Sequence, residues 1–196
     1  MRFLSRFFFL LLLPGSALYA DLEGDGLLWE LFNSDESLAS FLVPDIDAGR
    51  CGATYRTPFL VESSRDEISI VAETMSGSVE DGLSLSGNVK IYDANLSVFA
   101  PLANLDRSRF LEFERGALIQ SSESLLLGES GELSLNTKKG TLQRAQYVNV
   151  SSGIRATADK IQVNGKGTLY LEKARLTACG PGDNGWVVHS KQIKID

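Results

Sequence analysis

The residues best suited to chemistry sit near the C-terminus, in "LTACGPGDNGWVVHS" (residues 176–190). This stretch holds Cys179 in a Gly/Pro/Asp/Asn turn, then Trp186, then His189, the one histidine of the chain. Cys51 is the only other cysteine. Cys179 could serve as a thiolate nucleophile, a metal ligand, half of a disulfide or a core thiol. A Cys179–His189 pair has the residue types of a nucleophile and its base, but His189 falls in a stretch with strand pattern and nothing around it reads as a catalytic loop. One histidine builds no multi-His metal site, and zinc sites draw largely on Cys and His. No Gly-x-Ser-x-Gly elbow is present to give a Ser-His-Asp triad its nucleophile. The acids Glu62, Glu67 and Glu73, and the pair Glu112 and Glu114, read as solvated strand faces, and no phosphate loop occurs. The side chains therefore predict no enzyme, no metal and no cofactor.

The start of the chain bears on the fate of the cysteines. Arg2 and Arg6 precede an apolar run, Phe7 to Leu13, followed by Gly15, Ser16, Ala17 and Ala20. That is the layout of a secretory signal peptide over residues 1–20, and the run falls short of the roughly 20 residues a membrane span needs. The expectation is an exported chain, in a compartment where disulfides form. The net charge is −6, and removing two arginines makes it more acidic still. Nucleic acid is a poor partner for such a chain, because its affinity rests on Lys and Arg at phosphates. Residues 21–50 form an extension: Leu28, Leu31 and Phe32, then Leu38, Phe41 and Leu42, approach helical spacing and predict one or two short helices before a linker.

From Ile68 onward the texture is β. Apolar residues alternate with polar ones in "ISIVAE", "LSLSGNVKIYD", "ANLSVFA", "GELSLNT", "ATADKIQVNG" and "GTLYLEKARL", with turn residues between them. Alternation of this kind marks strands with one buried face, and the fold class is all-β. The inward set is Ile70, Leu85, Val89 and Ile91, then Leu96 and Val98, Leu133 and Leu135, Ile161 and Val163, and Leu169 and Leu171. Two meanings fit this set: a closed sandwich core, or two sheets that stay apart and admit acyl chains between them, each buried methylene contributing about 0.8 kcal/mol. Recurring Gly-x-Leu-x-Leu units at Gly131 and Gly167 suggest a structural or adhesive β-solenoid as an alternative, but the intervals are unequal.

Taken together, "CGATYRTP", "ISIVAE", "LSLSGNVKIYDANLSVFA", "GELSLNTKKGTLQRAQY" and "ARLTACGPGDNGWVVHSKQIKID" resemble the OstA-like family, the N-terminal periplasmic domain of lipopolysaccharide-assembly proteins of the LptD type. The resemblance runs from Cys51 to Asp196, and its most specific part is the terminal Cys, Pro-Gly-Asp turn, Trp and closing strand. The "GNV-x-I" unit is shared with the bridge protein LptA. The resemblance implies an open β-jellyroll over residues 51–196 that holds lipopolysaccharide acyl chains without chemistry of its own. It also implies an LptA-like bridge as partner through edge-strand pairing, and a C-terminal outer-membrane barrel with a lipoprotein plug. The chain ends at Asp196, where the family continues into that barrel. Either a piece of a translocon subunit or a freestanding LptA-like bridge module is then expected, on the periplasmic side of a Gram-negative outer membrane. In the family both cysteines are tied to a cysteine pair near the end of the barrel. Here Cys51 and Cys179 are left to pair with each other, to pair with another chain, or to stay free, and are expected near the same end of the domain. Trp186 is expected to pack over the turn.

Overall fold

The computed structural model describes residues 42–43, 51, 54–55, 68–78, 80–93, 96–179 and 185–196. The signal-peptide reading and the expected helices of the extension lie outside these residues except at Leu42, the last residue of the helical pattern, which the structure places in a strand and not in a helix. The described residues contain strands and no helix. β1 (Leu42–Val43) and β2 (Thr54–Tyr55) pair with each other on either side of Cys51. The remaining strands are β3 (Ile68–Val71), β4 (Thr74–Ser78), β5 (Gly82–Asp93), β6 (Leu96–Leu105), β7 (Phe110–Phe113), β8 (Ala117–Gln120), β9 (Ser124–Gly128), β10 (Ser130–Ser134), β11 (Lys139–Asn149), β12 (Arg155–Asn164), β13 (Leu169–Thr177) and β14 (Val188–Ile195). All of their pairings are antiparallel.

The pairing pattern shows how these strands make two sheets. On one edge β6 meets β8 through Ser97–Phe99 and β7 through Asn104 and Leu105. Likewise β11 meets β9 through Gln146–Asn149 and β10 through Gly140–Gln143. The long strands thus run through two levels, an upper one completed by β3, β8 and β9 and a lower one completed by β4, β7 and β10. Inward residues of both levels, such as Ile119 and Leu126 above and Leu111 and Leu133 below, belong to one continuous core. The two levels are therefore folded onto each other, as in a sandwich whose long strands turn the corner.

A row of kinks makes that corner. Asn88 on β5, Arg144 on β11 and Lys173 on β13 have φ of 47°, 44° and 48°. The β5–β6 register shifts between Ser86 and Val89, and the rungs at Arg144/Asp159, Asp159/Lys173 and Lys173/Lys191 are missing from otherwise regular ladders. Ion pairs line the corner: Arg144 with Glu129, and Lys173 with Asp159 at 2.8 Å. Four strands change their inward parity as they pass it. On β12 the inward residues are Ala156 and Ala158 above but Ile161 and Val163 below; on β13 they are Leu169 and Leu171 below but Ala174 and Leu176 above. A one-residue phase slip moves every later side chain to the other face, and these four strands slip where they bend, whereas β5 keeps Leu85 and Val89 both inward across its kink. The shared sheet and its corner differ from the coil of equal turns that a solenoid requires.

Candidate functional site

The two sheets meet at the corner and part at the opposite side. The upper rim there carries Asp93, the β8–β9 turn (Ser121–Ser124) and Asn149; the lower rim carries the β10–β11 turn with Lys138, the β12–β13 turn with Gly165, Lys166 and Gly167, and Asp196. Between the rims lies a cleft of about 480 Å³, within the range of small-molecule binding pockets. Its upper wall is Leu96, Ile119, Leu126 and Tyr147, and its lower wall is Leu133, Leu142, Val163, Leu169 and Ile195. Gly140 lies in the lower wall, where a Cβ would run into the carbonyl oxygen of Glu132, so no side chain fits between β10 and β11 at that point. Burial pushes the Tyr147 phenol above its ordinary pKa, and nearby Glu123 adds to the rise against the hydrogen bond from Asn149. It therefore stays neutral and protonated in the wall.

The twelve inward residues read from the sequence all belong to, or pack against, the core. They divide into two groups. Leu96, Leu133, Val163 and Leu169 face the cleft. Leu85, Val89, Ile91, Val98, Leu135, Ile161 and Leu171 are buried in the closed part, with Ile70 packed at its margin. Periodicity identifies a face but not how far along the strand the sheets have separated, and this is why sequence reasoning missed Ile119, Leu126, Leu142, Tyr147 and Ile195. The first two lie in a run that does not alternate.

One ion pair crosses the mouth. Lys138 Nζ on the lower rim bonds Asp93 Oδ2 on the upper rim. β5 pairs with β3, β4 and β6, and β10 with β7 and β11, so no shared ladder brings these two residues together.

Cys51 and Cys179 are joined in a disulfide, with Cα atoms 3.9 Å apart. Cys179 is buried, its N–H donating to Thr177 Oγ1 at 3.0 Å and its carbonyl accepting from Arg155 Nε at 2.7 Å. A bonded sulfur is no nucleophile, and His189 is exposed on β14. The Trp186 carbonyl accepts from Thr177 Oγ1 at 2.7 Å and the residue is 41% exposed; the turn over which it is expected to pack, residues 180–184, lies outside the described residues. Among the described residues no group of three or more His, Cys, Asp or Glu could hold a metal ion.

Residues 69–196 match the family described as LptA/(LptD N-terminal domain) LPS transport protein. The chain belongs to this family. It is 29% identical over 134 residues to the LPS-assembly protein LptD of Shewanella frigidimarina, covering 68% of this chain and 18% of that one. The LptD of Saccharophagus degradans is 28% identical over 157 residues, covering 80% of this chain and 17% of its own length. The chain thus spans about a fifth of these curated relatives. Among solved structures it is similar to LptH, "the LptA homologous periplasmic component of the conserved lipopolysaccharide transport device from Pseudomonas aeruginosa", with a TM-score of 0.50 at 10% identity over 63% of this chain and 94% of that one. At that identity the likeness concerns the fold, the all-β jellyroll of this LPS transport family.

Proposed function

We propose that the cleft takes up acyl chains of lipopolysaccharide and that the chain passes the lipid through the periplasm toward the outer membrane without chemistry of its own. The observation that carries this reading is an apolar cleft, rimmed by polar and charged side chains, between two sheets that separate at one side. An acyl chain entering the cleft leaves water at about 0.8 kcal/mol per methylene, while a polar headgroup stays at the rim. Family membership supplies the lipid and the transport role. We further propose the division into a signal peptide (residues 1–20), an extension (21–50) and the jellyroll (51–196). The partners follow from the same reading. Among the described residues β14, β3 and β4 are edges of the sheet, and an exposed edge pairs readily with another chain; one such edge would receive an LptA-like bridge. An outer-membrane barrel and its lipoprotein plug would take the lipid onward.

The test is photo-crosslinking in cells from single positions. Probes at Leu133, Leu169, Val163 and Leu96 should capture lipopolysaccharide, and one at Ile91, fully buried in the closed part, should capture far less. Silence at all four cleft positions would overturn the reading.

A further inference from the structure

The ion pair across the mouth is placed to sense what enters. Asp93 ends β5, and its side chain is 14% exposed. Lys138 sits in a constrained turn with φ 56°, its N–H donating to the Ser134 carbonyl at 2.8 Å. Thr137 N–H donates to Ser134 Oγ at 3.2 Å, and Asn136 Nδ2 ties the turn to the Ser108 carbonyl at 2.9 Å. The Lys138 ammonium is thereby presented from a fixed backbone to the mouth of an apolar cleft. Lys166, also lining the cleft from the lower rim, has no ion pair among the described residues. Glu123, Glu132 and Asp196 are the other charged groups around the cleft.

From this arrangement we infer that Lys138 selects amphiphiles with a phosphate-bearing headgroup, and that the phosphate takes the place of Asp93 on Lys138, so that the ion pair is a latch opened by its own ligand. The inference rests on the acyl-binding reading and names the part of the ligand that reading leaves open. A cleft of 480 Å³ suits one compact ligand, and a lipid with several acyl chains needs the rims to part. A neutral amphiphile that parts them leaves Lys138 and Asp93 without partners. A phosphate replaces one charge-assisted contact with another, with Lys166 as a second donor, and Asp93 is released to water at the opened rim. A ligand shifts a two-state equilibrium only through its different affinity for the two states. The phosphate supplies that difference here, because it reaches Lys138 only after Asp93 has left.

The test uses the full chain with dodecyl phosphate and dodecyl maltoside, both below their micelle concentrations, each displacing a fluorescent apolar dye. The wild-type protein should bind the phosphate at least tenfold more tightly than the maltoside. K138M should lose that preference and K138R should keep it. D93N should bind the maltoside several-fold more tightly than wild type while still favouring the phosphate. Hydrogen exchange should rise at residues 134–139 in D93N and K138M and remain unchanged in the core strands, which shows that both variants are folded. Equal binding of the two amphiphiles by wild type, or wild-type behaviour in D93N and K138M, would overturn the latch and leave the acyl cleft standing. Failure of the wild-type protein to bind either amphiphile overturns the cleft reading and the latch with it.

Discussion

The pairs β8–β9 and β7–β10 occupy equivalent places between β6 and β11, one in the upper sheet and one in the lower. Their surroundings differ. In β7 and β10 burial alternates, with Leu111, Phe113 and Leu133 inward and Glu112 and Glu132 exposed. In β8 and β9 nearly every residue is buried. Ala117, Ile119 and Leu126 point into the core, yet Leu118, Leu125 and Leu127, which stand outside that core, are at most 1% exposed. Phe99 and Val148 continue this outward apolar surface by cross-strand pairing with Leu118 and Leu125. At β8 and β9 the upper sheet is thus buried and largely apolar on both faces, while β7 and β10 in the lower sheet have one face in water. Leu125→Ala or Leu127→Ala should cost about 2–5 kcal/mol, as should Leu133→Ala, and Glu112→Ala or Glu132→Ala less than about 0.5 kcal/mol. Urea denaturation measures all five. Outward upper-sheet leucines that cost no more than the glutamates would erase the distinction.

The disulfide sharpens the same contrast. A cross-strand row of side chains runs along the outward face of the upper sheet: Tyr92, Ser97, Gln120, Leu125, Val148, Arg155 and Thr177, each paired with the next. Cys179 lies two residues beyond the end of that row. Cys179→Ser should cost about 2–4 kcal/mol, read from the shift in unfolding midpoint. Hydrogen exchange should quicken in β11–β13 above the corner and hardly at all in β7 and β10. Uniform loosening of both sheets would show that the bond acts only through the unfolded chain.

How much of this was legible in the sequence follows from the same contrast. Strands with one wet face declare themselves by period two, and "GELSLNT" and "LSLSGNVKIYD" do so. "GALIQSSESLLLGES" does not alternate, because both faces of β8–β9 are buried, and continuous apolar runs carry no phase. The corner did leave a mark in the sequence. The inward positions Ala158 and Ile161, and Leu171 and Leu176, are separated by odd intervals, which a straight strand cannot accommodate. Read strand by strand, such breaks look like imperfect patterning; read across strands, they align into the fold line. The Asp93–Lys138 contact, 45 residues apart, had no local signal, since it depends on two rims meeting only after the sheets have folded over.

Gln120 tests how dry the outward face is. It is 1% exposed, and neither its Nε2 nor its Oε1 has a hydrogen-bond partner among the described residues. A buried amide without partners costs about 1–3 kcal/mol, so Gln120→Leu, similar in size, should raise stability by an amount in that range. A loss of stability in the same urea experiment would mean that the amide meets water or a partner there, and that this end of the upper sheet is wetter than its leucines indicate.

The smallest effect expected belongs to the lower sheet. Asp106, in the turn between β6 and β7, accepts hydrogen bonds from Phe110 N–H at 2.7 Å and the Ser108 hydroxyl at 2.8 Å. The bond from Phe110, followed by that from Ser108, holds its pKa below the ordinary 3.8. Asp196, after β14, is lowered as well, by Lys194 and Thr168. A carboxylate with a depressed folded-state pKa stabilises the fold above its unfolded value and loses that contribution as pH falls through the folded value. Acid should therefore loosen the lower-sheet turns, and the exposure of both groups keeps the effect small. Asp106→Asn should lower the melting temperature near pH 5, and the gap from wild type should close as pH falls toward about 2. A gap that stays constant over that range would show that the turn depends on the shape of the side chain and not on its charge.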